Sequence, residues 1–166
     1  MIKDIKKLTL YANLMAIAII LNIVETWVNV IPVPGAKIGL ANIITVIVLV
    51  IYKPSDSIVF VILRVIFVSI LTGKLFNPIF YMSLAGGLAA SVSMVIILKT
   101  DFFGLLGISV IGSITHTIGQ IIMGIFVVGS IAVLSYLPIM LAISIPAGVV
   151  TGIISKRFLV AFKRIE

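Results

Sequence analysis

The sequence predicts an all-α membrane protein, a bundle of six transmembrane helices with both termini in the cytoplasm. Three observations lead to this fold class. Of the 166 residues, 62% are apolar and 10% are charged, which is too few charges to cover a soluble domain. The apolar residues form runs close to the length of about 20 residues that crosses a bilayer. The basic residues between the runs sort to one side of the membrane.

Charged residues, Pro or Gly bound the apolar runs, as expected where transmembrane helices reach the interface. The first run ends at the Pro-rich turn of residues 32–35, and the short second run stops at Lys53. No charge separates the last two runs, so their boundary depends on run length, Gly129 and Pro138. The runs lack the alternation of barrel strands, which favours helices. The single predicted domain, 1–166, holds helices at about residues 8–30, 38–52, 57–72, 78–98, 105–128 and 137–155.

The distribution of basic residues supports this topology. Six spans place both termini, the second-to-third connection and the fourth-to-fifth connection on the same side. The opposite loops hold Lys37 and Lys74, whereas Arg64 lies within a span. Cytoplasmic loops carry the excess of Lys and Arg in membrane proteins, so the richer side is predicted to be cytoplasmic. That side holds Lys3, Lys6, Lys7, Lys53, Lys99, Lys156, Arg157, Lys163 and Arg164.

Composition narrows the classes of function and partner. The net charge of +7 sits in short clusters between apolar spans, which favours anionic membrane lipid over nucleic acid as the partner. The chain contains no Cys, which excludes disulfides, thiolate metal ligands and Cys nucleophiles. The first apolar run is too long for a signal peptide and lacks a small-residue cleavage site after it. We therefore expect a retained first helix in a multi-pass protein of the cell membrane.

The polar residues within the spans point to a binding site. A helical rise of about 1.5 Å per residue places them in the outer half of the bilayer or the adjoining loops. Charges in hydrocarbon cost about 2.5–3.5 kcal/mol on insertion scales, so they normally face a cavity, a partner or a pathway. We therefore predict a pocket that opens outward. Its candidate ligand-binding residues are Glu25, Lys37, Asn42, Arg64, Lys74, Asn77, Ser83, His116 and Gln120.

The charge of this set favours an anionic or electron-rich ligand, since Glu25 is its one acid. The fixed fork of Arg64 suits carboxylate or phosphate. Two interpretations stay open for Arg64: a ligand site, or an ion pair with Glu25 that joins two helices. Lys37 and Lys74 either bind ligand or extend to lipid headgroups. Without partner ligands for His116, neither a metal site nor a cofactor is expected.

Small residues suggest close helix contacts. Ala12 and Ala16 lie four residues apart on one helix face, a spacing that lets another helix approach closely. Such a pair either packs within the bundle or docks to a separate membrane subunit.

Four segments carry a family resemblance: PGAKIGLANI (34–43), Arg64, LTGKLFNPIFYMSLAGG (71–87) and THTIGQ (115–120). They resemble the Gx transporter family, also labelled heptaprenyl diphosphate synthase component I. The resemblance runs from the first helix through the fifth. The matching motif positions are Pro34, Gly35, Lys37, Gly39, Asn42, Arg64, Gly73, Ser83, Gly86, His116, Gly119 and Gln120.

That family in turn is similar to the substrate-binding S components of energy-coupling factor (ECF) transporters, which are six-helix membrane proteins. The resemblance implies partners: a scaffold transmembrane subunit, docked through an Ala-x-x-x-Ala surface that Ala12 and Ala16 match here, and two cytoplasmic ATPase subunits. It also implies capture of a small vitamin-like or quinone-precursor solute from outside the cell. The chain has no Walker motif, so it cannot hydrolyse ATP itself.

The two family labels differ on function, and the acidic residues favour a protein that is not an enzyme. Prenyl diphosphate synthases hold magnesium and diphosphate with clustered aspartates. Here Asp4, Asp56 and Asp101 are far apart in sequence. Two alternatives to an S component remain: a noncatalytic membrane subunit associated with heptaprenyl diphosphate or menaquinone synthesis, and a stand-alone secondary transporter.

Overall fold

A computed structural model describes residues 2–27, 39–100 and 102–162. These residues form an all-helical bundle and contain no strand. The α-helices are α1 (Ile2–Trp27), α2 (Leu40–Ile51), α3 (Pro54–Leu71), α4 (Pro78–Leu98), α5 (Leu105–Val128) and α6 (Leu137–Phe162). A short 3₁₀ helix, Ile131–Tyr136, precedes α6. The predicted all-α class is thus confirmed for the described part of the chain.

Five of the described helical segments are long and apolar enough to cross a membrane, and α2 is shorter. The long segments are Ile5–Glu25, Pro54–Leu71, Pro78–Leu98, Leu105–Val128 and Ile131–Phe162. With 12 residues, α2 is about 18 Å long, well below the hydrocarbon thickness of about 30 Å. The sequence predicted a somewhat longer second helix, from residue 38 to 52.

The short helix α2 lies at the centre of the bundle. All of residues 41–49 are buried, and α2 packs against α1, α3 and α6. On one side Ile47 joins Leu14 and Phe60 in a core between α1 and α3. On another side Val46 joins Met94 and Ile108 of α4 and α5. Because its neighbours surround it, α2 can be apolar on every face and still fold inside the bundle.

Contacts at both ends of α2 fix its direction relative to α1. At one end the Tyr52 hydroxyl donates to the Lys7 carbonyl over 2.8 Å. At the other end the Gly39 amide donates to Glu25 Oε1. The two helices are therefore antiparallel. The end of the bundle where α1 begins and α2 meets α3 is called the basic end below, because Lys7, Lys53, Lys99 and Lys156 lie there.

Helix α4 packs most extensively on α5, through glycines. A Cβ placed at Gly86 would lie 2.8 Å from the carbonyl oxygen of His116, and one at Gly119 would lie 3.0 Å from that of Ala85. Real Cβ atoms essentially never lie within 3.0 Å of an atom of a neighbouring helix, and a Cβ at Gly119 would also lie 2.9 Å from the Ala89 Cβ, so both positions need glycine for the helices to touch. Two further glycines, Gly148 and Gly152, bring α6 against α5 in the same way.

Several helix ends differ from the predicted ranges for local reasons. Helix α3 begins at Pro54 instead of about residue 57, because Pro suits the first helical position and the Asp56 carboxylate accepts the Lys53 amide at 3.2 Å. Helix α1 already begins at Ile2, and α6 continues to Phe162 instead of ending near 155. Lys and Arg are good helix formers, so the charged ends of both helices extend the apolar runs.

Candidate functional site

Arg64 lies near the middle of α3 and is almost completely buried, with 2% of its surface exposed. A guanidinium carries its charge under all conditions of interest and loses its hydration when buried. Such a charge in a membrane-spanning helix needs compensating groups from neighbouring helices. The centre of the candidate site is therefore defined by what surrounds Arg64.

Helix α2 supplies two of these groups. Arg64 Nη1 donates to Thr45 Oγ1 at 3.1 Å, and Nη2 lies 3.5 Å from its acceptor, Asn42 Oδ1. Asn42 and Thr45 are three residues apart, so they share one face of the helix. The Thr45 hydroxyl donates to the carbonyl of Ala41 at 3.4 Å, which leaves its lone pairs for the arginine. Both acceptors are neutral, so the charge of Arg64 is solvated without being neutralised by α2.

The third nitrogen of the guanidinium, Nε, has no acceptor among the described residues. Arg64 Nε is buried as well. A buried donor without an acceptor costs about 1–3 kcal/mol, more for a charged group. A carboxylate or phosphate oxygen is the acceptor that best relieves this cost, because charge-assisted hydrogen bonds are the stronger ones. An anionic group beside Nε would satisfy this donor.

Glu25 is the acid that interacts electrostatically with Arg64. It is buried near the end of α1, and its carboxylate attracts the charge of Arg64. The same carboxylate accepts the amide of Gly39, the residue just before α2. Gly39 has a φ of +88°, which glycine adopts without strain. Glu25 therefore also has a structural role that the sequence did not reveal, since it holds the first turn of α2 against α1.

Helix α4 contributes its backbone at two adjacent glycines, which face different neighbouring helices. A Cβ at Gly87 would lie 3.9 Å from Arg64 Nη2. A Cβ at Gly86 would lie 3.2 Å from His116 Nε2 and 2.6 Å from Gln120 Cγ. Gln120 is buried and His116 is half-buried. The backbone of α4 at Gly86 and Gly87 thus lies between two sets of polar groups. One set belongs to α2 and α3, and the other to α5.

The remaining candidate residues lie toward the end of the bundle opposite the basic end. Ser83 is half-buried one turn before Gly87, on the α4 face that is turned to Arg64. Lys74 is half-buried in the α3–α4 connection, just after Gly73, whose φ is +66°. Asn77 is exposed, and its Oδ1 accepts the amide of Ile79 at 3.2 Å. The Asn77 side chain thus caps α4, a role that its position before Pro78 could have indicated.

Three positions of the predicted set, Lys37, Pro34 and Gly35, lie outside the described residues. On α1, Ala12 and Ala16 are exposed, whereas Ala18 is fully buried. The Ala12 and Ala16 face is therefore turned away from the bundle.

Sequence reasoning missed Thr45 and Asn22 as members of the buried polar set. Thr45 sits in an apolar run, where a Thr is usually a packing residue. Thr45 lies three residues after Asn42, and this spacing could have indicated that both side chains share one polar face of α2. Asn22 has the same spacing from Glu25. Within the described residues, no three His, Cys, Asp or Glu side chains come close enough to hold a metal ion.

Comparison with known proteins identifies the family. The model of the family described as heptaprenyl diphosphate synthase component I matches residues 14–158, which include every described polar residue around Arg64. No curated protein and no solved structure was found to match the chain. The match covers most of the chain and agrees with the resemblance of its motifs. The chain therefore belongs to the heptaprenyl diphosphate synthase component I family, also called the Gx transporter family.

Proposed function

We propose that this protein is the substrate-binding S component of an ECF-type transporter and captures a small anionic solute. The observation that carries the proposal is the open Nε of the buried Arg64, which lies beside neutral acceptors on α2. A structural arginine would be expected to have its whole fork satisfied by protein groups. An incomplete set of partners instead suits a cation that completes its hydrogen bonds with a ligand.

The chemistry of the surrounding groups narrows the solute class. Asn42, Ser83, His116 and Gln120 are proposed to bind neutral polar atoms of the solute, while Arg64 binds its carboxylate or phosphate. Lys37 and Lys74 would raise the local concentration of anions near the entrance. Glu25 is proposed to limit affinity, because its carboxylate competes for the same guanidinium. A vitamin-like acid and an acidic quinone precursor both meet this description.

The topology belongs to the same proposal. We infer that all six helices cross the cell membrane, with both termini and the basic end in the cytoplasm. The Arg64 site would then open to the outside. The exposed face of Ala12 and Ala16 is proposed to dock to a scaffold membrane subunit, with two ATPases supplying the energy.

A second candidate function follows from the family description. The protein could instead act as a noncatalytic membrane subunit beside an enzyme that makes heptaprenyl diphosphate. A prenyl diphosphate is also an anion, so Arg64 chemistry alone does not separate the two functions. The identity of the molecule that the protein retains separates the two functions. An S component requires an extracellular solute, whereas a synthase subunit requires a cellular isoprenoid.

The test is mass spectrometry of small molecules that the purified protein retains, followed by binding measurements with the molecule found. An extracellular solute bound by the wild type, and bound at least about tenfold more weakly by Arg64→Met, is the expected result. Lys99→Met removes a charge at the basic end and serves as the control that keeps full affinity. Retention of prenyl diphosphates alone would favour the synthase subunit. Equal affinity of Arg64→Met and wild type would remove Arg64 from the site.

A further inference from the structure

A cavity lies at the basic end, separate from the Arg64 site. It is a groove with a volume of about 580 Å³ between the start of α1 and the turn that joins α2 to α3. Lys7 and Tyr11 of α1 line one wall. Tyr52 and Lys53 of the turn line the other, where α3 begins. The volume is in the range of small-ligand sites.

Two tyrosines make the groove a fixed structure. The Tyr52 hydroxyl donates to the Lys7 carbonyl over 2.8 Å, and the Tyr11 hydroxyl donates to the Asp56 carbonyl over 3.1 Å. The two rings meet edge to face, with centroids 5.3 Å apart. Burial, with a smaller effect of the Asp56 carboxylate, raises the pKa of Tyr52, so its hydroxyl stays protonated and remains a donor. Each wall is thus tied to the other by a hydrogen bond from its own tyrosine.

The charge at the groove favours an anion. The side chains of Lys7 and Lys53 are exposed at its rim. One acid, Asp56, also lines the groove, but its carboxylate oxygens already accept the Lys53 amide at 3.2 Å and the Ser55 hydroxyl at 3.5 Å. Two exposed lysines therefore line the groove, against one carboxylate that is engaged at the start of α3. A phosphate group complements this arrangement.

The remaining lining residues, Leu8 and Ile51, are apolar, and Leu8 is open to the surroundings of the bundle. Leu8 of α1 has 70% of its surface exposed, and Ile51 ends α2 beside it. Tyrosine and lysine at the end of a transmembrane helix lie at headgroup depth, with apolar neighbours toward the hydrocarbon. The groove therefore combines phosphate-binding cations with a path for an alkyl chain.

We infer that this groove binds the phosphate headgroup of a membrane lipid, with Lys7 and Lys53 on the phosphate and an acyl chain along Leu8. This site joins α1 to the α2–α3 turn from outside the bundle. It does not depend on the Arg64 site or on transport.

Native mass spectrometry of the full chain tests the inference. The protein is purified with equal amounts of a phosphatidylglycerol and of a galactosyl diacylglycerol with the same acyl chains. Selective retention of the phospholipid by the wild type is expected, because the galactolipid has no phosphate. The Lys7→Gln/Lys53→Gln variant should retain about tenfold less phospholipid. The matched control is Lys99→Gln, an exposed lysine at the same end but outside the groove, which should retain phospholipid as the wild type does.

Two further arms complete the test. The Lys7→Arg/Lys53→Arg variant keeps both charges and should keep the lipid, so a loss caused by unfolding can be distinguished from a loss of cations. Glycerol 1-phosphate at the concentration of the lipid should not displace it, because it lacks the chain that packs on Leu8. Equal retention by the double Gln variant and the wild type would overturn the inference. Equal losses in the double Gln variant and Lys99→Gln, or displacement by glycerol 1-phosphate, would overturn it as well.

Discussion

The guanidinium of Arg64 donates to the hydroxyl of Thr45 over 3.1 Å, a contact that joins α3 to α2 inside the membrane-spanning bundle. The Thr45 hydroxyl donates a hydrogen bond to the Ala41 carbonyl, so the backbone of α2 sets the orientation of this hydroxyl. Thr45 thereby fixes one branch of the arginine fork, and Nε stays available on another.

Thr45→Val should destabilise the protein by about 1.5–3 kcal/mol, because it removes a hydrogen bond to a buried charge while keeping the side-chain shape. Thermal unfolding in detergent measures the effect. Thr72→Val is the matched control, since the hydroxyl of Thr72 bonds to the Val68 carbonyl one turn earlier in its own helix. Equal losses of stability in the two variants would show that the arginine contact adds nothing.

Gly86→Ala should destabilise the α4–α5 contact by about 1–3 kcal/mol, because the new methyl group would overlap the backbone of His116. Gly104→Ala is the control: no atom lies within 4 Å of its Cβ position and its φ is −67°, so it should change stability by less than about 0.5 kcal/mol. The midpoints of thermal unfolding of both variants give the comparison. A tolerated Gly86→Ala would mean that α4 and α5 can separate without loss.

Glu25→Gln separates the two roles of this residue. The amide oxygen can still accept the Gly39 N–H, so stability should stay near that of the wild type, whereas Glu25→Ala should lose about 1–3 kcal/mol. The Gln variant should also bind an anionic solute more tightly, because the competing carboxylate is gone. Unfolding and solute titration are measured on both variants. If Gln destabilises as much as Ala, the attraction to Arg64 outweighs the contact with Gly39.

Ala16→Trp should abolish copurification with a coexpressed scaffold subunit and leave thermal stability unchanged, because Ala16 is exposed on α1. Val92→Trp places the same bulk on the exposed face of α4 and should not affect copurification. Normal association of the Ala16 variant would exclude this face as the docking surface.

The absence of Cys allows a direct test of topology. Single-Cys variants at Ser135, before α6, and at Thr100, between α4 and α5, place exposed thiols at opposite ends of the bundle. A membrane-impermeant maleimide should label Ser135→Cys in intact cells, and Thr100→Cys only after permeabilisation. The reverse pattern would invert the proposed orientation.

Much of the fold was predictable because the membrane imposes strong length and hydropathy constraints on helices. Helices α4 and α5 have the same bounds as their apolar runs, with Asn77 and Gly129 at the breaks. The 3₁₀ helix before α6 was not predicted, since residues 131–136 are mostly apolar and carry no periodic signal for this geometry. The capped start of α3 was missed because run length was counted from the first apolar residues, not from Pro54.

The proximity of Asn42 and Arg64 was predictable from the sequence, but the detailed contacts of the site were not. Counting the rise along α2 and α3 placed Asn42 and Arg64 in the same region, and the structure brings them to 3.5 Å. The contact of Glu25 with Gly39 depends on how α1 packs on α2, which helical rise does not give. The adjacent glycines of α4 turn to different neighbours for the same reason. Ligand binding by these residues stays a prediction.

The burial of residues 41–49 of α2 has a consequence for biogenesis. A segment of 12 residues is too short to remain stably across a bilayer by itself, and in the bundle its central residues are covered by neighbouring helices. We expect α2 to enter the membrane as a hairpin with α3, joined by the tight turn at Tyr52 and Lys53, and to reach the centre when α4 to α6 close around it. Chains truncated after α3 should therefore be recognised by quality-control proteases, even though each of their helices is apolar.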